Sequence, residues 1–256
     1  MYNGLRVLAV APAFNEVGKI EHVIARVPRD IADDILIVDD GSSDGTPDIA
    51  RSCGARVVSH DRTRGVGAAV RTALDCAVAE DFDAVVFLAG NNKDFPEHLP
   101  TLLAALQRQS ADIVQGSRYL DPSRDFGPMP AYRRLATRLH PVLFRMASGH
   151  RMTDTTNGFR AVRVSSYALL AADLAAPRYD RYGFEPALLF RALAHGMVVV
   201  EVPARKVYPE RHLGQTKMRP VRDWWSILWP ILEGAALRLM GRSAAAGRRR
   251  SRAGSS

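Results

Sequence analysis

The sequence predicts an α/β fold: a mostly parallel, twisted sheet flanked by helices, with an amphipathic helix near the C-terminus. Three observations carry this reading. Over the first 120 residues short apolar runs alternate with segments of helical periodicity, the pattern of βαβ units. Three of the apolar runs pass directly into segments rich in Asp, Asn, Gly or Pro, where ligands of parallel sheets bind. With 47% hydrophobic and 24% charged residues, the chain can bury a sizeable core.

The elements follow in order. Leu5–Ala11 is a short apolar run and reads as a first buried strand. Asn15–Val27 has helical spacing, with Ile20, Val23, Ile24 and Val27 on one face. Ile35–Val38 is a second strand, and Thr46–Cys53 a helix that tolerates Pro47 in its first turn. Arg56–Ser59, Ala84–Leu88 and Ile113–Gly116 are further strands; Gly65–Glu80 and Glu97–Gln107 are helices. Residues 121–160 look irregular, broken by Pro122, Gly127, Pro128 and Pro130. Val162–Leu174 and Phe184–His195 read as helices, Met197–Val202 as a strand, 204–221 as a basic loop and Trp224–Met240 as the last helix.

Composition narrows the class. Cys53 and Cys76 stand far apart without a Cys/His cluster, which argues against a thiolate zinc site or a disulfide scaffold and suits a cytoplasmic chain. Val7–Ala13 is short and contains Pro12, as expected of a strand rather than a secretory signal. No run approaches the ~20 apolar residues of a spanning helix. The formal charge is +8, but Arg242, Arg248, Arg249, Arg250 and Arg252 lie in the last fifteen residues with no acid, and removing these five leaves +3. The basic balance is a property of the tail, which points away from a nucleic-acid partner because no basic face interleaved with aromatics appears in the domain.

Two strand ends carry the first chemical signal. Ala11-Pro12-Ala13-Phe14-Asn15-Glu16 offers an aromatic ring and a carboxylate, suited to a base and a ribose, or else a strand stop with Asn15 as a helix cap. Val38-Asp39-Asp40-Gly41-Ser42-Ser43-Asp44-Gly45-Thr46 places two adjacent carboxylates at the end of a buried strand, a costly arrangement unless they are used. The alternative is an Asp/Ser/Gly turn leading into a capped helix.

Together these segments resemble glycosyltransferase family 2, and among its members the dolichol-phosphate mannosyltransferases and other polyprenyl-phosphate sugar transferases. Arg64-Gly65-Val66-Gly67-Ala68-Ala69, Gly116-Ser117-Arg118-Tyr119, Asp154-Thr155-Thr156-Asn157-Gly158-Phe159-Arg160 and Gly214-Gln215-Thr216-Lys217 extend the resemblance from about Val7 to Lys217. It implies the Rossmann-like GT-A fold and an inverting transfer of a sugar from a GDP- or UDP-linked donor to an acceptor, foremost a polyprenyl phosphate. By motif, Pro12, Phe14, Glu16, Asp39, Asp40 and Gly67 belong to the nucleoside side, and Arg118 sits near the donor. Asp154 and Glu185 face the acceptor. Arg205, Arg211 and Lys217 are candidates for the diphosphate, which needs cationic partners. A lipid phosphate is already ionised, so Asp154 would orient it; a hydroxyl acceptor would need a base, Asp154 or Asp94.

The chain departs from the family at the fourth strand end. The family's Asp-x-Asp, which holds a divalent metal against the diphosphate, is replaced by Ala89-Gly90-Asn91, followed by Asn92-Lys93-Asp94. Mg²⁺ and Mn²⁺ favour hard oxygen ligands, usually including carboxylate. Three readings stay open. Lys93 takes the metal's place; a metal binds through Asp94 with Asn91 or Asn92; or the protein is a pseudoenzyme that grips the nucleotide without transfer.

Trp224, Leu228, Ile231, Leu232, Ala235 and Leu239 fall near one face of the last helix, broadened by Trp225 and Trp229, and Pro230 is expected to kink or restart it. Tryptophan-rich apolar surface followed by arginines is what a helix lying on an anionic membrane presents; packing on the protein's own core is the alternative. The expected organisation is a catalytic domain over 1–221, this helix over 222–241 and a disordered basic tail over 242–256.

Overall fold

The computed structural model describes residues 1–120, 126–208, 223–236 and 238. Seven strands form one sheet: β1 (Val7–Ala13), β2 (Asp34–Asp39), β3 (Arg56–Ser59), β4 (Ala84–Phe87), β5 (Ile113–Ser117), β6 (Arg160–Arg163) and β7 (Val199–Pro203). Their order is β3-β2-β1-β4-β6-β5-β7. Every pairing is parallel except those of β6, which runs antiparallel to both β4 and β5. The helices are α1 (Ile20–Arg26), α2 (Thr46–Ser52), α3 (Val66–Ala79), α4 (Leu99–Arg108), α5 (Ala131–Ser148), α6 (Val164–Leu174) and α7 (Phe184–Ala194), followed by α8 over 223–236.

The central strands are apolar on both faces because both faces are covered. In β1, Val7, Ala9, Ala11 and Ala13 enter one core, whereas Leu8 and Val10 enter the other. The period of two repeats in β2, with Ile35 and Ile37 on one side and Leu36 and Val38 on the other. Helices α1, α2 and α4 close the first core; α3, α5, α6, α7 and α8 close the second, to which α8 contributes Ile231.

Four expectations need correction. The first helix begins at Ile20, not Asn15. Asn15 and Gly18 adopt φ of 51° and 79°, and the chain between them is tied to the next strand end: the Asn15 amide donates to Ser42 Oγ at 2.8 Å and the Glu16 amide to Thr46 Oγ1 at 2.8 Å. The irregular stretch contains the 18-residue α5, which runs through Pro141. Its signal was masked by prolines, one of which, Pro130, is simply its N-cap. The expected helix from Val162 is preceded by strand β6, whose Arg160 and Arg163 disguise a buried segment. Pro230 does not interrupt α8, which is continuous across it. No described helix is long and apolar enough to cross a membrane.

Candidate active site

The carboxyl ends of β1, β2 and β4 open into a cavity of about 800 Å³. Pro12, Phe14, Glu16 and Asp40 line it, as do Asn91, Lys93, Arg118 and Glu185, so the structure brings together most of the residues that the motifs singled out. Lys19 Nζ meets Glu16 Oε2 at 3.0 Å on this wall.

The two carboxylates after β2 are used, but largely within the protein. Asp40 Oδ1 accepts from the Arg64 amide at 2.8 Å and stands 2.8 Å from His60 Nδ1; Asp40 Oδ2 accepts from the Gly65 amide at 2.8 Å. Gly65 has φ +121° and lies so close to the Asp180 carbonyl that a Cβ would collide with it. Asp40 therefore fastens the turn that starts α3 to the end of β2. Asp39, 2% exposed, accepts the Ser42 amide at 3.2 Å and does not line the cavity. Gly67 is also absent from the lining; a side chain there would strike the carbonyls of Tyr179 and Arg181, so its glycine serves packing.

The strand end after β4 is built differently. Asn92 takes a left-handed φ of 56°, and Asp94 folds the loop back by accepting the Ala89 amide on Oδ2 at 2.8 Å. Its other oxygen receives Lys206 Nζ at 2.6 Å. Lys206 is delivered by the chain after β7, which pairs backbone with Asp94 and donates the Val207 amide to the Lys93 carbonyl at 3.1 Å. Lys206 also donates to Asn157 Oδ1 at 3.0 Å. Asp94 is buried and absent from the lining, whereas Lys93 and Lys206 face the cavity. Burial, reinforced by Arg133 and Lys206, holds the Lys93 ammonium pKa down at about 8.

Arg118 and Asp154 form a fully buried bidentate pair: Nε to Oδ2 at 2.6 Å and Nη2 to Oδ1 at 2.7 Å. The Arg118 amide and the Thr156 amide add two bonds to the same carboxylate. Burial would raise the Asp154 carboxyl, but the Arg118 charge and these bonds outweigh it and hold it below the ordinary carboxylate value. A carboxylate so held is a weak proton acceptor; Asp154 acts on Arg118, whose Nη1 reaches the Tyr208 hydroxyl at 2.8 Å. Glu185 lines the cavity from the start of α7, 3.6 Å from Arg160.

Arg205 is absent from the cavity lining and lies over the Phe95 ring at 4.9 Å, whereas its neighbour Lys206 lines the cavity. Successive side chains of an extended segment point to opposite sides, and sequence alone did not reveal which one faced inward. Arg211 and Lys217 lie outside the described residues. Sequence reasoning also missed Tyr208, Arg133 and the far wall, where Tyr132, Leu139 and Leu143 of α5 meet Trp224, Ile227 and Leu228 of α8. Burial there keeps the His140 imidazole down at about 4, with Nδ1 held by Thr155 Oγ1 at 2.6 Å.

A family profile described as Glycosyl transferase family 2 matches residues 9–170. The chain belongs to glycosyltransferase family 2. It is 33% identical over 220 residues to an undecaprenyl-phosphate mannosyltransferase of Micrococcus luteus, covering 84% of this chain and 88% of that one. It is 31% identical over 226 residues to a polyprenol monophosphomannose synthase of Mycolicibacterium smegmatis, covering 83% and 81%. Its fold is the GT-A fold, shared at a TM-score of 0.64 and 22% identity with glucosyl-3-phosphoglycerate synthase of Mycobacterium tuberculosis, a structure holding Mn²⁺, UDP and glucosyl-3-phosphoglycerate, over 91% of this chain and 81% of that one. This family 2 protein is accordingly an enzyme that transfers sugar.

In this family 2 enzyme the residues at the β4 end do not suit a divalent cation. Both Asp94 oxygens are committed, Asn91 offers one neutral buried oxygen without a partner among the described residues, and Lys93 brings positive charge to the same wall. No group of three His, Cys, Asp or Glu side chains able to hold a metal occurs among the described residues.

Proposed function

We propose that the enzyme transfers a hexose from a GDP- or UDP-linked donor to a polyprenyl phosphate at a membrane surface. The observation that carries this reading is the mixed lining of one cavity. Glu16, Asp40, Lys93, Arg118 and Lys206 line it from the strand ends; Tyr132, Leu139, Leu143, Trp224, Ile227 and Leu228 line it from α5 and α8. A nucleoside diphosphate suits the first group and an isoprenoid chain the second. The matching relatives named above act on undecaprenyl or polyprenol phosphate by their names.

The same two helices continue onto the surface. Leu135, Leu139, Val142 and Met146 of α5 are 50–76% exposed, and Trp225, Trp229 and Leu232 of α8 are 50–63% exposed. Arg134, Arg138 and Arg145 lie on α5 among them. Apolar surface rimmed by arginines favours an anionic bilayer, and the acceptor's tail would reach the cavity from there. Meanwhile α8 is anchored by Glu233, which binds Arg178 and Arg191 at 2.8 and 3.0 Å.

In the transfer, a phosphate oxygen of the lipid attacks the anomeric carbon. A new C–O bond forms as the bond to the nucleoside diphosphate breaks, and the electron pair leaves with the diphosphate. The configuration inverts in this single displacement. The attacking oxygen is already anionic, so no proton acceptor is required, in keeping with Asp154 being engaged by Arg118. Glu185 stands where it can orient the sugar or the acceptor.

The test is transfer from GDP- and UDP-hexoses to polyprenyl phosphate in anionic vesicles, read by mass spectrometry. Glycosyl polyprenyl phosphate is the expected product, and unphosphorylated polyprenol should give none. Leu139→Glu with Met146→Glu should lower turnover in vesicles while leaving donor binding intact. Transfer to water or to free hydroxyls only would defeat the proposal.

A further inference from the structure

The disagreement between the β4 strand end and a divalent cation has a positive side, because the same wall holds unspent protein cations. Lys93 Nζ lies 5.5 Å from the Tyr208 ring centre and the Arg133 guanidinium carbon 5.2 Å from it. Neither Lys93 nor Arg133 has an ion-pair partner among the described residues. Both line the cavity. The other cations on this wall are matched: Lys19 by Glu16, Arg118 by Asp154 and Lys206 by Asp94. Two cations of this wall are therefore left without an ion-pair partner among the described residues.

We propose that Lys93 and Arg133, arranged around Tyr208, hold the diphosphate of the donor in place of a metal ion, and that Lys206 completes the arrangement by occupying Asp94. This rests on the donor reading above and specifies how its diphosphate is held. Lys206 matters in two ways. It cancels the one carboxylate of this loop that a metal could have used, and it keeps one N–H beyond its bonds to Asp94 and Asn157 for a phosphate oxygen. Asn91, with an unpartnered buried carbonyl oxygen, is left as an acceptor for a donor hydroxyl. Fixed cations stabilise a departing diphosphate by the same electrostatics as a metal. The hydroxyl of Tyr208 accepts from Arg118, which anchors the ring beside which both cations lie.

The experiment is calorimetric titration of the full chain with UDP and with GDP, in excess EDTA and again with Mn²⁺. The nucleotide that binds should do so with dissociation constants that agree within about twofold in the two conditions. Lys93→Met should weaken it about 10- to 100-fold, the range expected for a hydrogen bond to a charged group, and Lys93→Arg should restore most of the loss. Lys93→Met removes no described hydrogen bond and should fold; if it does not, half-buried Arg133→Gln gives the same reading. Binding that vanishes in EDTA and returns with Mn²⁺ would overturn the lysine–arginine site and leave the donor reading intact. Equal affinity in Lys93→Met, Arg133→Gln and the parent chain would overturn it as well. If neither nucleotide binds with or without Mn²⁺, the donor reading falls and takes this proposal with it.

Discussion

Asp40 and Asp94 are both buried carboxylates, at the ends of β2 and β4 on either side of β1, and they are satisfied in opposite ways. Asp40 is held by two backbone amides and the His60 ring, with no lysine or arginine ion pair among the described residues. Asp94 is held by one amide and the Lys206 ammonium. A carboxylate held by amides keeps its negative charge as a local feature, here used to pin the turn at Gly65 and to border the cavity. A carboxylate held by a lysine is electrically spent. The first arrangement follows the family motif; the second is what this chain put in place of one. Two strand ends of one sheet can thus each bury an aspartate and still differ in the charge they present.

The largest effect should come from breaking the second pair. Lys206→Met leaves Asp94 buried beside Ala89 without its cation, and removing one partner of a buried pair costs about 3–5 kcal/mol. Chemical denaturation should show a loss of that size, and Lys206→Met with Asp94→Asn should recover much of it. Full additivity of the two changes would mean that the carboxylate is not held by the lysine.

Mild acid tests whether the contrast extends to the far wall. His140 is buried with its pKa lowered from 6.5 to about 4. Between those values the unfolded chain takes up a proton that the folded chain does not, so stability is complete above pH 6.5 and falls as the pH drops toward 4. At 1.36 kcal/mol per pH unit the loss approaches about 3 kcal/mol. Comparing His140→Gln with the parent chain by denaturation across this range should show the mutant with a flatter profile; identical profiles would place the titrating group elsewhere.

The smallest effect belongs to Asp40. Asp40→Asn keeps the shape but turns an acceptor toward two amides into a group that also carries donors. A cost of about 1–3 kcal/mol is expected for the mismatched buried bonds, with weaker nucleotide binding because the Gly65 turn loosens. Unchanged stability and unchanged UDP or GDP affinity would remove Asp40 from its role as a clamp.

Much of this was legible in the residues. The apolar runs Leu5–Ala11 and Ile35–Val38 exposed the central strands because both faces of each are buried. The motifs at Pro12–Glu16 and Asp39–Asp40 marked the cavity because strand ends of a parallel sheet converge on it. The short, charged β6 was not legible, since Arg160 is buried with bonds from its guanidinium to the Asn157 carbonyl at 2.7 Å and the Glu185 carbonyl at 3.4 Å and with the Glu185 carboxylate nearby. Nor was α5, whose prolines at 130 and 141 imitate breaks although a helix start accepts one and tertiary packing tolerates the other.

The sequence by itself determined the sheet, the family and the absence of a carboxylate pair at Ala89 and Asn91, because these depend on residue type and local period. Only the tertiary structure decided which of Arg205 and Lys206 faces inward, that Asp94 is already matched, and that Lys93 and Arg133 meet at Tyr208. Asp94 and Lys206 lie 112 positions apart in the chain, and Lys93, Arg133 and Tyr208 between 40 and 115, and charge acts through space, so its balance exists only once the strands have brought them together.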